Sequence, residues 1–155
     1  MHSGRRKALK GTGGLAVMGL AVAAGLFKPG IARAEWNKEA FSTKSFADAV
    51  KAMGGSQPTE SKDIVINSPD IAENGAVVPF AISSKLANTQ SIALLIEKNP
   101  NILAADFDIP QGTDPWINTR VKMGQTSRVI ALVKAGDKYY YNAKEVKVTL
   151  GGCGG

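Results

Sequence analysis

From Asp63 to Leu150, apolar residues recur at every second position in a series of short runs, and this alternation limits the fold more than any other feature. Val78, Phe80 and Ile82 alternate, as do Ile92, Leu94 and Ile96. Ile117, Val121 and Met123 follow, with Arg120 and Lys122 on the opposite side. Ile130 and Leu132, then Tyr139 and Tyr141, then Val146, Val148 and Leu150 extend the pattern, and Phe107 and Ile109 make a shorter run. A period of two sends alternate side chains to opposite faces of a pleated strand, where a helix would repeat every third or fourth residue. Asn74-Gly75, Asn99-Pro100, Pro110-Gln111-Gly112, Gly124 and Gly136-Asp137 punctuate the runs with turn chemistry. About seven short strands without long helices between them predict a mainly β chain, an antiparallel Ig-like β-sandwich over residues 63–150. No Cys…Trp…Cys framework is present, so "Ig-like" describes architecture only.

Ahead of the sandwich the period changes. Ser45-Phe46-Ala47-Asp48 reads as a helix start, with the serine accepting from the first turn and the aspartate favoured there by the dipole. Phe46, Ala49, Val50 and Met53 then fall on one helical face, and Gly54-Gly55 ends it. A short helix is expected around Asn37–Phe41, and Ser56–Glu60, with Pro58, reads as a linker. Residues 35–62 are thus an N-terminal helical segment and linker.

Residues 1–34 form a leader. Arg5, Arg6, Lys7 and Lys10 precede a 13-residue apolar stretch, Leu15–Phe27, and Ala32-Arg33-Ala34 matches an A-x-A cleavage site. The stretch is short of the roughly 20 residues a membrane-crossing helix needs. Residue 35 is Glu35, not the cysteine of a lipoprotein. Arg5-Arg6 with the mild, Gly/Ala-rich stretch resembles a twin-arginine signal, which predicts export to the periplasm in the folded state. The net charge of +6 also belongs here: the leader holds six basic residues and no acid, leaving 13 basic residues against 13 acids beyond it. A neutral body gives no support to a nucleic-acid or membrane partner.

Composition then removes most catalytic classes. The only histidine is His2 and the only cysteine Cys153. A mature body without histidine cannot run a Ser-His or Cys-His nucleophile or build a His/Cys zinc cluster, and no cofactor-binding residues are visible. The expectation is a protein that is not an enzyme and needs no metal or cofactor, with its reactive chemistry on one sulfur.

That sulfur stands in Gly151-Gly152-Cys153-Gly154-Gly155. Glycine has the widest backbone freedom, and no side chain here can pack the tail down, so the sequence predicts a mobile arm on an ordered strand. A buried structural cysteine does not fit four flanking glycines. An intermolecular structural disulfide suits an exported chain with one cysteine but is poorly served by a loose tether. Prenylation fails on position, since Cys153 is third from the end. A terminal Gly154-Gly155 thiocarboxylate would need ATP and leave Cys153 unexplained. The residues are best accounted for by a carrier thiol whose glycine arm (Gly151, Gly152, Gly154, Gly155) admits Cys153 to narrow active-site channels.

At this point the chain resembles the SoxY family, the sulfur-carrier subunits of the periplasmic thiosulfate-oxidising (Sox) system. Lys144-Glu145-Val146-Lys147-Val148-Thr149-Leu150-Gly151-Gly152-Cys153-Gly154-Gly155 is similar to that family's C-terminus. Val77-Val78-Pro79, Ile96-Glu97-Lys98-Asn99-Pro100, Thr119-Arg120-Val121-Lys122-Met123 and Gln125-Thr126-Ser127 are similar to its strand segments. The resemblance implies that Cys153 carries the intermediates and that a second β-sandwich protein, SoxZ, is the heterodimer partner. It also implies transient contacts with a c-type cytochrome loading complex, a sulfate-releasing hydrolase and a sulfane dehydrogenase.

The chemistry suits the residue. An exposed thiol with a pKa near 8.5 is only a few per cent ionised at pH 7, so the loading enzyme's pocket is expected to supply most of the activation. Tyr139-Tyr140-Tyr141 reads as a strand packing on both faces. Arg120, Lys122 and Arg128 read as a solvated strand face, and Trp116 as core or interface.

Overall fold

The computed structural model describes residues 36–149. The leader, Leu150 and the segment Gly151–Gly155 with Cys153 lie outside the described residues. Among those described there are two short helices, α1 (Lys38–Phe41) and α2 (Phe46–Ala52), and nine strands. The strands are β1 (Thr59–Glu60), β2 (Ile64–Asn67), β3 (Ile71–Ala72), β4 (Val78–Ser84), β5 (Thr89–Ile96), β6 (Leu103–Asp108), β7 (Trp116–Val121), β8 (Ser127–Ala135) and β9 (Lys138–Val148). Seven are longer than two residues, in line with the alternation.

The larger sheet runs β1-β9-β8-β5-β6, with β3 also on β9, and the smaller runs β2-β4-β7. All pairings between the seven longer strands are antiparallel, and only the two-residue β1 and β3 pair in parallel, both with β9. Between the sheets lies a core that includes Ile64, Val78, Phe80, Ile82, Ile92, Leu94, Val129, Ala131 and Val146. The far face of the larger sheet is also covered. Ala40, Ala49 and Val50 from the helices meet Ala93, Leu95, Ile130, Leu132 and Tyr139 in a second cluster. β5 and β8 are therefore the middle of three layers, which is why Ile92–Ile96 and Val129–Val133 are buried at every position. Burying each large aliphatic side chain in these clusters contributes about 1.5–3 kcal/mol. The tyrosine run behaves as expected: Tyr139 and Tyr141 face the helices and Tyr140 the inter-sheet core.

The local signals act as read. Ser45 Oγ accepts from Asp48 N at 3.1 Å and donates to Asp48 Oδ2 at 2.6 Å, capping α2. At its other end Gly54 N reaches Lys51 O and Gly55 N reaches Val50 O, at 2.9 and 2.8 Å, a Schellman motif with Gly54 at φ +86°. Two expectations change. Thr59–Glu60, read as linker, pairs with Tyr140–Tyr141, and the helical segment packs on the larger sheet. Trp116 is not core, with 56% of its surface exposed.

Candidate functional site

The site the structure describes is the end of β9, the strand that leads to Gly151–Gly155. β9 is 11 residues long and pairs with β8 from Lys138↔Ala135 to Val146↔Ser127. Val146 is fully buried and Val148 packs on the same inter-sheet core. Beyond Val146 the strand is held by other partners. Lys147 N donates to Asp70 O at 2.9 Å, Val148 N to Thr126 Oγ1 at 3.0 Å and Thr149 N to Ala72 O at 3.1 Å. Thr149 is the last described residue, four positions before Cys153.

Three loops meet around this exit and are tied to one another. Met123 N donates to Gly75 O at 2.7 Å, joining the β7–β8 loop to the β3–β4 loop. The Asn99 side chain donates to Lys122 O at 2.8 Å and accepts from Gly124 N at 3.3 Å, bridging the β5–β6 turn to the β7–β8 loop. Lys98 N reaches Ser127 Oγ, and Arg128 pairs with Glu97 at 3.2 Å on the surface. Arg120 and Lys122 are exposed and make no ion pair among the described residues, which agrees with a solvated face. The Lys144 ammonium sits 2.8 Å from Asp70 and donates to Ser68 O at 2.7 Å. Its hydrogen bond and charge together hold the Asp70 carboxyl below the usual carboxylate range.

Sequence reasoning read Asn74-Gly75 and Asn99-Pro100 as turns, which they are, but missed the clasping roles of Asn99, Thr126, Asp70 and Lys144. Their partners lie 22 to 77 residues away, and no local pattern marks such bonds. Cys153 and its glycines fall outside the described residues.

Elsewhere two carboxylates stand out. Asp106 and Asp108 share one face of the edge strand β6, near Asn37, Lys134 and Tyr139. Burial, then the neighbouring Asp108 charge, pushes Asp106 above its ordinary range, although the residue keeps solvent exposure. Tyr139, whose hydroxyl donates to Met53 O, is raised by burial and by Asp106. No group of three or more His, Cys, Asp or Glu that could hold a metal occurs among the described residues, and no described helix is long and apolar enough to cross a membrane. A groove of about 490 Å³, lined by Leu86, Asn88, Ile109, Pro110, Thr113 and Gly136, opens at the end where β9 begins. An extended strand of β9's 11 residues puts it about 33 Å from the exit. Four residues beyond Thr149 span at most about 14 Å, so Cys153 cannot reach the groove within one chain.

Fold and site together define a class: a β-sandwich domain whose last strand is secured to its final turn and hands on a short chain end bearing one thiol. The profile of the family described as sulfur oxidation protein SoxY matches residues 49–153, about two thirds of the chain, and the match ends at Cys153. The sulfur carrier protein SoxY from Chlorobium limicola f thiosulfatophilum is 36% identical, with a TM-score of 0.61 over 66% of this chain and 94% of that one. The chain belongs to the SoxY family, the sulfur carriers of Sox thiosulfate oxidation. A superoxide reductase (neelaredoxin) from Ignicoccus hospitalis shares the fold alone, at 16% identity and a TM-score of 0.50 over 56% of this chain and 80% of its own. No curated protein matches significantly. The family match spans the β3–β4, β5–β6 and β7–β8 loops, which Met123 N–Gly75 O, Lys98 N–Ser127 Oγ and Asn99 Nδ2–Lys122 O join to one another.

Proposed function

We propose that this protein carries the sulfur of thiosulfate covalently on Cys153, at the end of a glycine arm, and offers it in turn to several enzymes. In loading, the Cys153 thiolate and the sulfane sulfur of thiosulfate form a sulfur–sulfur bond, and two electrons pass to a c-type cytochrome complex. The product is a cysteine S-thiosulfonate. A hydrolase then adds water across the bond to the sulfonate, releasing sulfate and two protons and leaving a persulfide on Cys153. A sulfane dehydrogenase is the consumer of that remaining sulfur. A SoxZ-like β-sandwich subunit is the standing partner, and residues 1–34 direct export of the folded protein to the periplasm.

One observation carries the reading: the family match runs to Cys153, the chain's only cysteine, four residues past a strand clamped as far as Thr149. The supporting physics is that a thiol beyond an anchored strand can enter a partner's channel without unfolding its own domain. The test is the intact mass of periplasmic protein from cells oxidising thiosulfate, before and after a reductant. A reductant-removable adduct on Cys153 is expected, and Cys153→Ser should stop thiosulfate-dependent electron flow without changing the melting temperature. A linked homodimer in place of the adduct, or a tenth of the electron flow surviving in Cys153→Ser, refutes the reading.

A further inference from the structure

Asn74 and Gly75 turn the chain between β3 and β4, and the turn places a nucleophile beside an activated carbonyl. Val77 N donates to Asn74 O at 3.3 Å, and Ala76 N donates to Asn74 Oδ1 at 2.9 Å, so the side-chain amide is folded back over the backbone that follows it. Asn74 is exposed. The Gly75 amide makes no hydrogen bond among the described residues. As a glycine, residue 75 brings no Cβ to crowd the approach of its nitrogen to the Asn74 side chain. An unpaired nitrogen thus follows directly on a carboxamide whose oxygen already accepts a hydrogen bond. Negative charge gathers on that oxygen when a nucleophile adds to its carbon, and a fixed amide donor stabilises it.

We propose that Asn74 is a self-modification site, at which the Gly75 nitrogen closes on the Asn74 side chain and converts it to aspartate and isoaspartate. The Gly75 nitrogen bonds to Asn74 Cγ and gives up its proton to solvent, and the Cγ–Nδ2 bond breaks with release of ammonia. Water then opens the resulting cyclic imide at either carbonyl. Opening on one side gives aspartate. Opening on the other leaves the main chain running through Cβ and Cγ, a single atom longer, as isoaspartate. The sum is water consumed and ammonia released, with nothing oxidised or reduced. Both products add a negative charge beside Glu73. The extra backbone atom falls just before Gly75, whose carbonyl accepts Met123 N at 2.7 Å. Met123 is fully buried, so isoaspartate at this position loosens the tie between the β3–β4 loop and a core residue of the β7–β8 loop.

The test incubates the purified protein at neutral and alkaline pH and follows each asparagine by peptide mass spectrometry, with isoaspartate counted by enzymatic methylation. Asn74 should convert about tenfold or more faster than Asn88 and Asn118, which are exposed but precede a β-branched threonine. Asn99 precedes Pro100, which has no amide proton to lose, and should not react by this route. The attacking species is the deprotonated amide, so the rate should rise about tenfold for each pH unit. The chain unfolded in guanidinium is the reference for geometry, and Asn74 should react no more slowly folded than unfolded. The isoaspartyl form, separated by ion exchange, should exchange its Met123 amide about tenfold faster than the unmodified protein, with Ile130 unchanged. Asn74→Asp carries the new charge without the extra backbone atom and should leave the Met123 amide protected. A rate that rises on unfolding, conversion of Asn88 or Asn118 as fast as that of Asn74, or an unchanged Met123 amide in the isoaspartyl form overturns the proposal.

Discussion

A methyl group added at Gly55 should destabilise this domain by wedging apart the helix layer and the larger sheet. An alanine Cβ there would stand 2.8 Å from Tyr139 Cδ2 and 2.9 Å from Val50 Cγ1, against the 3.5–4.0 Å at which carbon atoms pack. Neither neighbour can retreat easily. Val50 is 2% exposed in the α2 cluster, and the Tyr139 ring is 8% exposed with its hydroxyl bonded to Met53 O. Overpacking of this kind costs about 1–3 kcal/mol. Stiffening the unfolded chain returns about 0.4–1 kcal/mol, so the net loss is about 1–2 kcal/mol. For a domain of this size that is a fall in melting temperature of about 4–8 °C. Thermal unfolding followed by circular dichroism, at fixed protein and partner concentration, measures it. Two other glycines act as controls. Gly124→Ala meets nothing within 4 Å and should be neutral, whereas Gly54→Ala meets nothing but must hold φ +86°, which costs about 1–2 kcal/mol. In a Tyr139→Leu background the Gly55→Ala penalty should shrink, and in a Tyr139→Leu/Val50→Ala background it should largely disappear, since each change removes one of the two close neighbours. Iodoacetamide alkylation of Cys153 should not change below the transition, since Tyr139 lies ten residues up β9 from Thr149. A neutral Gly55→Ala, or the same penalty without the tyrosine ring, refutes the packing argument.

Other outcomes follow from charge, backbone and leader. Asp106 holds its proton more tightly folded than unfolded, so its ionised form costs stability above the raised pKa, and the cost vanishes below the ordinary value of 3.8. Asp106→Asn should therefore raise the melting temperature by about 1–3 °C at pH 7, an advantage that shrinks on acidification and is absent near pH 3.5; an equal gain at both pH values contradicts the assignment. Gly151→Pro/Gly152→Pro fixes φ near −65° at two positions, and should leave small-molecule alkylation of Cys153 unchanged while enzymatic loading falls by orders of magnitude. Equal loss or equal retention of the two rates argues against the arm. Replacing Arg5 and Arg6 by lysine should stop delivery to the periplasm, assayed by fractionation, and undiminished delivery argues against twin-arginine export.

What was legible in the sequence was what is written locally. Ser45 with Asp48, and Gly54 with Gly55, encode a helix's two ends within eleven residues, and both ends form as read. The alternation at Val78, Phe80 and Ile82 names the buried face of β4 because its other face meets solvent. It says less for β5 and β8. Ala93 and Leu95 are as buried as Ile92 and Leu94, and a run apolar on both faces does not tell which layer covers which face. That layer is α1 and α2, and their packing depends on contacts between residues some 80 positions apart, such as Tyr139 with Met53. The two-residue strands β1 and β3 left no signal, since parallel pairing with β9 needs neither length nor hydrophobicity from them. At the site, Cys153 was conspicuous because composition isolates it, whereas Asp70, Thr126 and Lys144 are ordinary polar residues whose meaning comes from where β9 ends.

The place of β9 in its sheet also decides how the domain bears load. On the proposed carrier reading, an enzyme holding Cys153 would load the domain through the end of β9, and tension directed along that strand meets the β8 ladder lengthwise. All nine β8 pairs lie side by side across that line, so they are loaded in shear and resist together. Pulled from a strand end that peeled sideways, the same bonds would open one at a time. β1 and β3, parallel to β9, brace its other edge near both ends. A pull reaching Thr149 along β9 would thus meet the domain along its strongest mechanical axis, with the hydrogen bonds of Thr149, Val148 and Lys147 standing outside the β8 ladder that holds the fold.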